Sequence, residues 1–430
     1  MQAFATSLAV PYCGANPGLE AARWLDDPDS AASLALIPLR AGMAPQAFGL
    51  LVLYHVGMYY VSWDWHVKSP FASPTIEPLM LLTSPWRLSL LFLISGVATA
   101  FLVANRPERF LAQRSWRLLV PLIFGMLVVV APQAYFEVVE KLNYSDGYIA
   151  FYKRYLMADT NFCRDADCLD VPTWNHLWFV AYLWVYTVLL VALRRGFPGA
   201  MDWIGQRLRR HLRGAALLAG PAVLLAAVRL GLVGRFESTH ALVDDWYNHA
   251  QYLPLFLAGF WLATADDVWN EIERLRWPAT TLAMASYAFI AWYFSRYSDA
   301  SPPPDALRML QRGLWGLDQW ASIVAILGWA RHGVQRGGPL LRYLSDAVFP
   351  VYILHQTLIV AFAHWAKPLG LIPAIEGPLM VLATFSASFA GYEVIRRLRW
   401  LRPLFGLKRR TEGQTGSRYV TTSCTASPPR

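Results

Sequence analysis

Apolar stretches of roughly 20 residues, the length a helix needs to cross a bilayer, recur through this 430-residue chain. Ten stand out, at approximately 46–66, 84–104, 117–138, 175–194, 214–234, 249–265, 278–296, 314–331, 343–365 and 374–395. They are too long for barrel strands, and lipid satisfies no open sheet edge. The expected fold is therefore all-α, a polytopic membrane helical bundle of about ten transmembrane helices. Gly, Pro and polar residues inside several stretches are tolerated where neighbouring helices satisfy the freed backbone groups. Only 16% of residues are charged, against about 25% in soluble chains. That deficit excludes a disordered protein, a nucleic-acid-binding array and most soluble enzymes.

The formal charge of +9 reads as topology, not as a nucleic-acid stripe, because the basic residues lie in loops. Arg106, Arg109, Arg114 and Arg117 precede the third stretch. Arg194, Arg195, Arg207, Arg209, Arg210 and Arg213 follow the fourth, Arg331, Arg336 and Arg342 flank the eighth and ninth, and Arg396, Arg397, Arg399, Arg402, Lys408, Arg409 and Arg410 follow the tenth. These loops alternate with poorer ones, so the positive-inside rule predicts that they and both termini are cytoplasmic. The acidic loop with Asp266, Asp267, Glu271 and Glu273 fits that rule less well. On the opposite side the longest loop, 139–174, is acidic and carries Cys163 and Cys168. The external placement favours a small disulfide hairpin there, with two free thiols the alternative. The expected organisation is an N-terminal tail over 1–44, a transmembrane domain over 45–396, and a basic, then disordered, cytoplasmic tail over 397–430. No basic segment precedes an apolar core at the start, so no signal peptide is expected.

Ionisable groups at bilayer depth are functional candidates by default. His55 lies in the first stretch, in FGLLVLYHVGMYYVSWDW. Continued helix would place Tyr59, Ser62 and His66 on its face, a polar stripe that should line a cavity. A neutral core histidine bonded to a neighbouring carbonyl suits the same position. His355 lies mid-stretch beside Gln356, with Pro350 loosening the helix before it. His176 opens the fourth stretch among tryptophans and reads equally as an interfacial residue. Arg114 and Arg117 share a helix face at the cytoplasmic boundary. They suit a phosphate clamp, or plain topology-setting charge and snorkelling. No metal-ligand spacing, Walker loop, dinucleotide turn or nucleophile elbow occurs, so neither a metal nor a bound cofactor is expected.

Taken in chain order, LLVLYHVG, FLISGVATAF, RFLAQRSWRLLVPL, HLWFVAYL and YLSDAVFPVYILHQ resemble the membrane acyltransferase-3 family, particularly its branch containing glucan biosynthesis protein C. The resemblance covers roughly residues 46–395. It implies a ten-helix O-acyltransferase of a bacterial inner membrane. Such an enzyme would move an acyl group, succinyl or acetyl, from cytoplasmic acyl-CoA as co-substrate to a hydroxyl of an extracytoplasmic carbohydrate such as a periplasmic glucan. By the same resemblance His55 is the catalytic residue and Arg114 and Arg117 handle the donor. The family's usual arginine eleven residues before the histidine is Ala44 here, which leaves a catalytically inactive member as an alternative.

On that reading the imidazole of His55 acts as general base on the acceptor hydroxyl or forms an acyl-histidine. Tyr59, Ser62, His66 and His355 would line the acceptor side, with His176, Trp174 and Trp178 at its external mouth. The partners expected are acyl-CoA, a carbohydrate and the bilayer, with no nucleic acid. A transporter or flippase-like protein for an envelope solute also fits intramembrane histidines and arginines, although no matching halves are visible.

Overall fold

The structure, a computed structural model, describes residues 37–105, 109–164, 167–333 and 338–408. Residues 1–36 and 409–430, and the side chains of Arg40 and Ala44, lie outside that description, so the reading of the two tails and of the Ala44 departure does too.

Helix α1 (Ile37–Tyr60) begins well before residue 45, where the tail was expected to end. It also stops earlier than expected. Its last amide bond is Val61 N–H to the Gly57 carbonyl, and the chain then folds back, Ser69 N–H bonding the Tyr59 carbonyl and Ser73 N–H that of Tyr60. Lys68 closes the end by donating from Nζ to the carbonyls of Met58 and Val61, as cations do at helix C-termini. Ser62 and His66 therefore lie in a loop, not on the helix face that carries His55.

The chain continues through α2 (Glu77–Leu81), α3 (Arg87–Asn105), α4 (Phe110–Phe124) and α5 (Ala131–Leu142). A wide π-turn over Gly125–Val129 separates α4 from α5. Such turns leave carbonyls poorly satisfied, and hydroxyls answer them here. Tyr155 bonds the Met126 carbonyl at 2.8 Å, Tyr152 that of Leu127 at 3.1 Å and Thr357 that of Val129 at 2.7 Å. Both tyrosines belong to α6 (Gly147–Leu156). The segment read as a long external loop is thus a packed cap, with Phe151, Tyr155 and Phe162 buried in it. Its hairpin pairs β1 (Cys163–Arg164) with β2 (Asp167–Cys168), joined by the Cys163–Cys168 disulfide.

Then follow α7 (Trp178–Gly196), α8 (Pro198–His211), α9 (Ala215–Leu232), α10 (Trp246–Leu262), α11 (Asp266–Arg274), α12 (Arg276–Arg296), α13 (Asp305–Gly333), α14 (Pro339–Ala366), α15 (Pro373–Arg397) and α16 (Leu401–Leu404). Helix lies on each of the ten apolar stretches. Among the described residues, five segments are long and apolar enough to cross a membrane: 110–142, 175–196, 215–232, 339–369 and 373–397. The fold is that of a helical membrane protein.

Helix pairing follows small residues, since lipid offers no hydrophobic force between helices and close backbone approach must supply the attraction. Helix α3 lies against α10 so tightly that a Cβ on Gly96 would stand 1.9 Å from the Phe256 carbonyl oxygen, and one on Gly259 2.0 Å from that of Leu93. Helix α13 packs against α9, α11 and α12, and α14 against α1, α5 and α15. Outside the apolar segments, Glu271 of α11 accepts from the Gly214 amide that starts α9. The Arg274 guanidinium beside it holds its carboxyl well down, at about 2.

Candidate active site

Three histidines, from α1, α14 and the turn that enters α7, meet near one end of the bundle. His55 of α1 places Nδ1 2.9 Å from Nε2 of His355 on α14. His355 in turn directs Nδ1 at the Tyr352 carbonyl, 2.6 Å away. His176, in the turn Asn175–Leu177 before α7, directs Nε2 at the carbonyls of Tyr352 and Ile353, 3.1 and 3.2 Å away. Its ring lies 5.1 Å from that of His355.

The carbonyls assign the tautomers, because a main-chain oxygen only accepts. His355 must carry its proton on Nδ1, which leaves Nε2 as an acceptor. A neutral His55 then donates from Nδ1 into that acceptor, and its own Nε2 keeps the lone pair. This is the tautomer a general base needs, and it is set by a second imidazole in place of a carboxylate.

His55 lines a cavity of ≈660 Å³. Tyr54, Met58, Trp65 and His66 contribute from the end of α1 and its loop, Trp174, His176 and Trp178 from the entry to α7, and Thr239, His240 and Gln356 close it. Trp178 lies 4.2 Å from the His240 ring, centroid to centroid, and Trp174 donates from Nε1 to the His240 carbonyl at 3.0 Å. Burial pushes the His240 imidazole below its usual range, so it presents a neutral face. Aromatic planes with a few polar edges suit the apolar faces and hydroxyl rims of sugars.

A chain of side-chain hydrogen bonds behind the cavity fixes its wall. Gln356 donates from Nε2 to His66 Nε2 at 3.0 Å and to Gln133 Oε1 at 3.2 Å. Gln133 donates from Nε2 to Thr357 Oγ1 at 2.6 Å and, at 3.4 Å, to His176 Nδ1. His66 directs Nδ1 at Glu137, whose carboxylate also meets Lys141 at 3.0 Å. Each amide and imidazole in this chain has a role consistent with its neighbours, which is what a rigid buried polar network requires.

The structure distributes the sequence candidates unevenly. His55, His66, His176 and Trp178 line one cavity, and His355 stands directly behind His55. His66 arrives through the loop that doubles back, not through helical spacing. Two expected pocket residues lie elsewhere. Tyr59 is fully buried among Val52, Val56, Ile359 and Met380, and Ser62 is exposed, with its amide bonded to Glu77 at 3.2 Å. Ser62 sits outside the cavity because α1 ends at Tyr60, and Tyr59 because its flank of the helix is covered by α14 and α15. Arg114 and Arg117 lie toward the far end of α4. Met126, which lines the cavity, is ~14 Å beyond Arg117 at 1.5 Å per residue. Arg117 faces Asp346 of α14.

Sequence reading missed Gln133, an uncharged polar residue among apolar neighbours, and Arg87. The Arg87 guanidinium is buried, 3.4 Å above the Tyr54 ring, and donates to Thr83 Oγ1 at 3.1 Å. A charge inside SPWRLSLLFLISG was the signal available for it.

No curated protein and no solved structure matches the chain. A family model described as an acyltransferase domain matches residues 47–393, from α1 through α15. With that match over most of its length, the chain belongs to the acyltransferase-3 family and is a membrane acyltransferase acting on groups other than amino-acyl groups.

Proposed function

We propose that this enzyme transfers an acyl group, succinyl or acetyl, from acyl-CoA on the cytoplasmic side to a hydroxyl of an extracytoplasmic carbohydrate such as a periplasmic glucan. It would do so from a bacterial inner membrane, through ten spans with both termini inside. The observation that carries the reading is the imidazole relay: His55 lines an aromatic cavity with Nε2 unprotonated, because His355 and the Tyr352 carbonyl occupy the other side of the chain of donors.

In the proposed step His55 Nε2 takes the proton of the acceptor hydroxyl as its oxygen attacks the thioester carbonyl. The C–S bond breaks, an ester forms, and the thiolate leaves with the proton that the imidazole returns. Such acid–base assistance contributes about 10²–10⁴-fold. Trp174 and Trp178 hold the sugar ring, and His176 holds α7 to α14 so that the mouth keeps its shape. Arg114 and Arg117 meet the donor's phosphates at the other end of α4.

Membranes incubated with labelled acyl-CoA and a glucan acceptor test this. Wild-type protein should place label in the glucan. His55→Ala should abolish transfer while inserting in normal amount. Undiminished transfer by that variant would remove His55 from the chemistry. Solute uptake with no loss of acyl donor would favour the transporter reading, which the family match weighs against.

A further inference from the structure

At the end of α7 opposite the histidines lies a second cavity, of ≈730 Å³. Trp178 and Arg194 mark the two ends of that helix, ~24 Å apart at 1.5 Å per residue. Arg194, Arg195 and Arg209 line the cavity against one carboxylate, Asp202. Arg209 is committed to structure. It donates from Nε and Nη2 to the Trp261 carbonyl at 3.1 and 2.8 Å, and from Nη2 to Thr264 Oγ1 at 3.0 Å, closing the end of α10. Arg194 and Arg195 are not so engaged. Arg194 lies 5.3 Å over the Phe260 ring, and among the described residues neither arginine pairs with a carboxylate.

Phe110, Phe260 and Trp261 supply aromatic walls. The Trp261 indole N–H is buried with no acceptor among the described residues. An orphan donor and two unpaired guanidinium groups call for an anion, and the volume and flat apolar walls exceed what a lone phosphate fills. Phe110 and Leu111, which line the cavity, precede Arg114 on α4 by one turn, so the arginine pair proposed for the donor lies one turn further along that wall.

We propose that this cavity binds the phosphorylated nucleotide end of the acyl donor. The base lies between Phe110, Phe260 and Trp261, the terminal phosphate lies on Arg194, Arg195 and the Trp261 N–H, and the rest of the donor runs toward Arg114. The proposal rests on the reading that the donor is a nucleotide-borne thioester. A phospholipid headgroup offers the same phosphate chemistry and is the competing source.

Calorimetric titration of the full chain in detergent with adenosine 3′,5′-bisphosphate, which has no acyl arm, separates the two. Saturable binding is expected, and Arg194→Gln with Arg195→Gln should weaken it roughly ten-fold or more, the loss of one or two charge-assisted bonds. The paired Lys variant should recover part of it, which a merely misfolded double variant would not. Unchanged binding by the Gln pair would overturn the proposal. So would displacement of the probe by short-chain phosphatidylglycerol at equal concentration, which would assign the cavity to lipid. His55→Ala should bind the probe normally. Nucleotide binding without any acyl transfer would therefore sink the proposed reaction and spare this site, whereas transfer with an unaltered donor KM in the Gln pair would do the reverse.

Discussion

At His55 the two ring nitrogens have different surroundings, and the difference is made by one side chain. His355 receives the Nδ1 proton and passes its own to a main-chain oxygen, so it acts as a positioning residue. His355→Leu removes the acceptor and should lower kcat by about 10²-fold with little change in acceptor KM, because it releases the tautomer on which a base effect of about 10²–10⁴-fold depends. His355→Gln offers an amide oxygen to the same proton and should recover part of the rate. Equal losses in both variants would show that the ring only fills space. His55 and His355 were legible as ionisable groups in apolar surroundings. Their partnership was not, because 300 residues separate them and no local pattern encodes a contact at that distance. Tyr59 illustrates the converse. Its spacing from His55 was read correctly as one helical turn, but a shared helix flank says nothing about which neighbour covers it, and here Val52, Ile359 and Met380 do.

Helices were easier to read than their ends. The apolar period marks the interior of an element, while its boundary depends on what satisfies the last carbonyls. For α1 that is Lys68, reaching back from beyond the helix, and the tryptophans at 63 and 65 kept the run apolar past the true stop. The break between α4 and α5 was likewise hidden, since its carbonyls are satisfied by tyrosines of α6 that the sequence places in a loop. The α3–α10 contact gives a test at this scale. Gly259→Ala forces a Cβ within 2.0 Å of the Leu93 carbonyl oxygen, so the helices must separate. A loss of about 1–3 kcal/mol is expected from such overpacking, read as a lower unfolding temperature in detergent. Gly313→Ala, which meets nothing within 4 Å, should change little. If the two variants melt alike, the close crossing does not hold in the protein.

Over the whole molecule, the two cavities lie at opposite ends of the bundle, and the charge pattern orients them. Under the proposed topology, with the basic loops cytoplasmic, Arg194, Arg195 and Arg209 would face the cytoplasm and His55 would lie near the outer surface. Thr239→Cys in the histidine cavity should therefore react with a membrane-impermeant maleimide in intact cells, and Gln206→Cys only after permeabilisation. The reversed labelling pattern would invert the orientation and the direction of transfer with it. Between the cavities Phe92 packs its ring 4.6 Å from Phe179, 5.4 Å from Tyr186 and 4.8 Å from Tyr252, with Phe256 6.0 Å from Tyr186. A shaft held permanently wide enough for a thioester arm would also leak protons and sodium, and the cell would lose the ion gradients it lives on. If the donor takes the proposed route, this belt of rings would have to part around its slender arm, and its closure between turnovers would keep the electrical insulation intact.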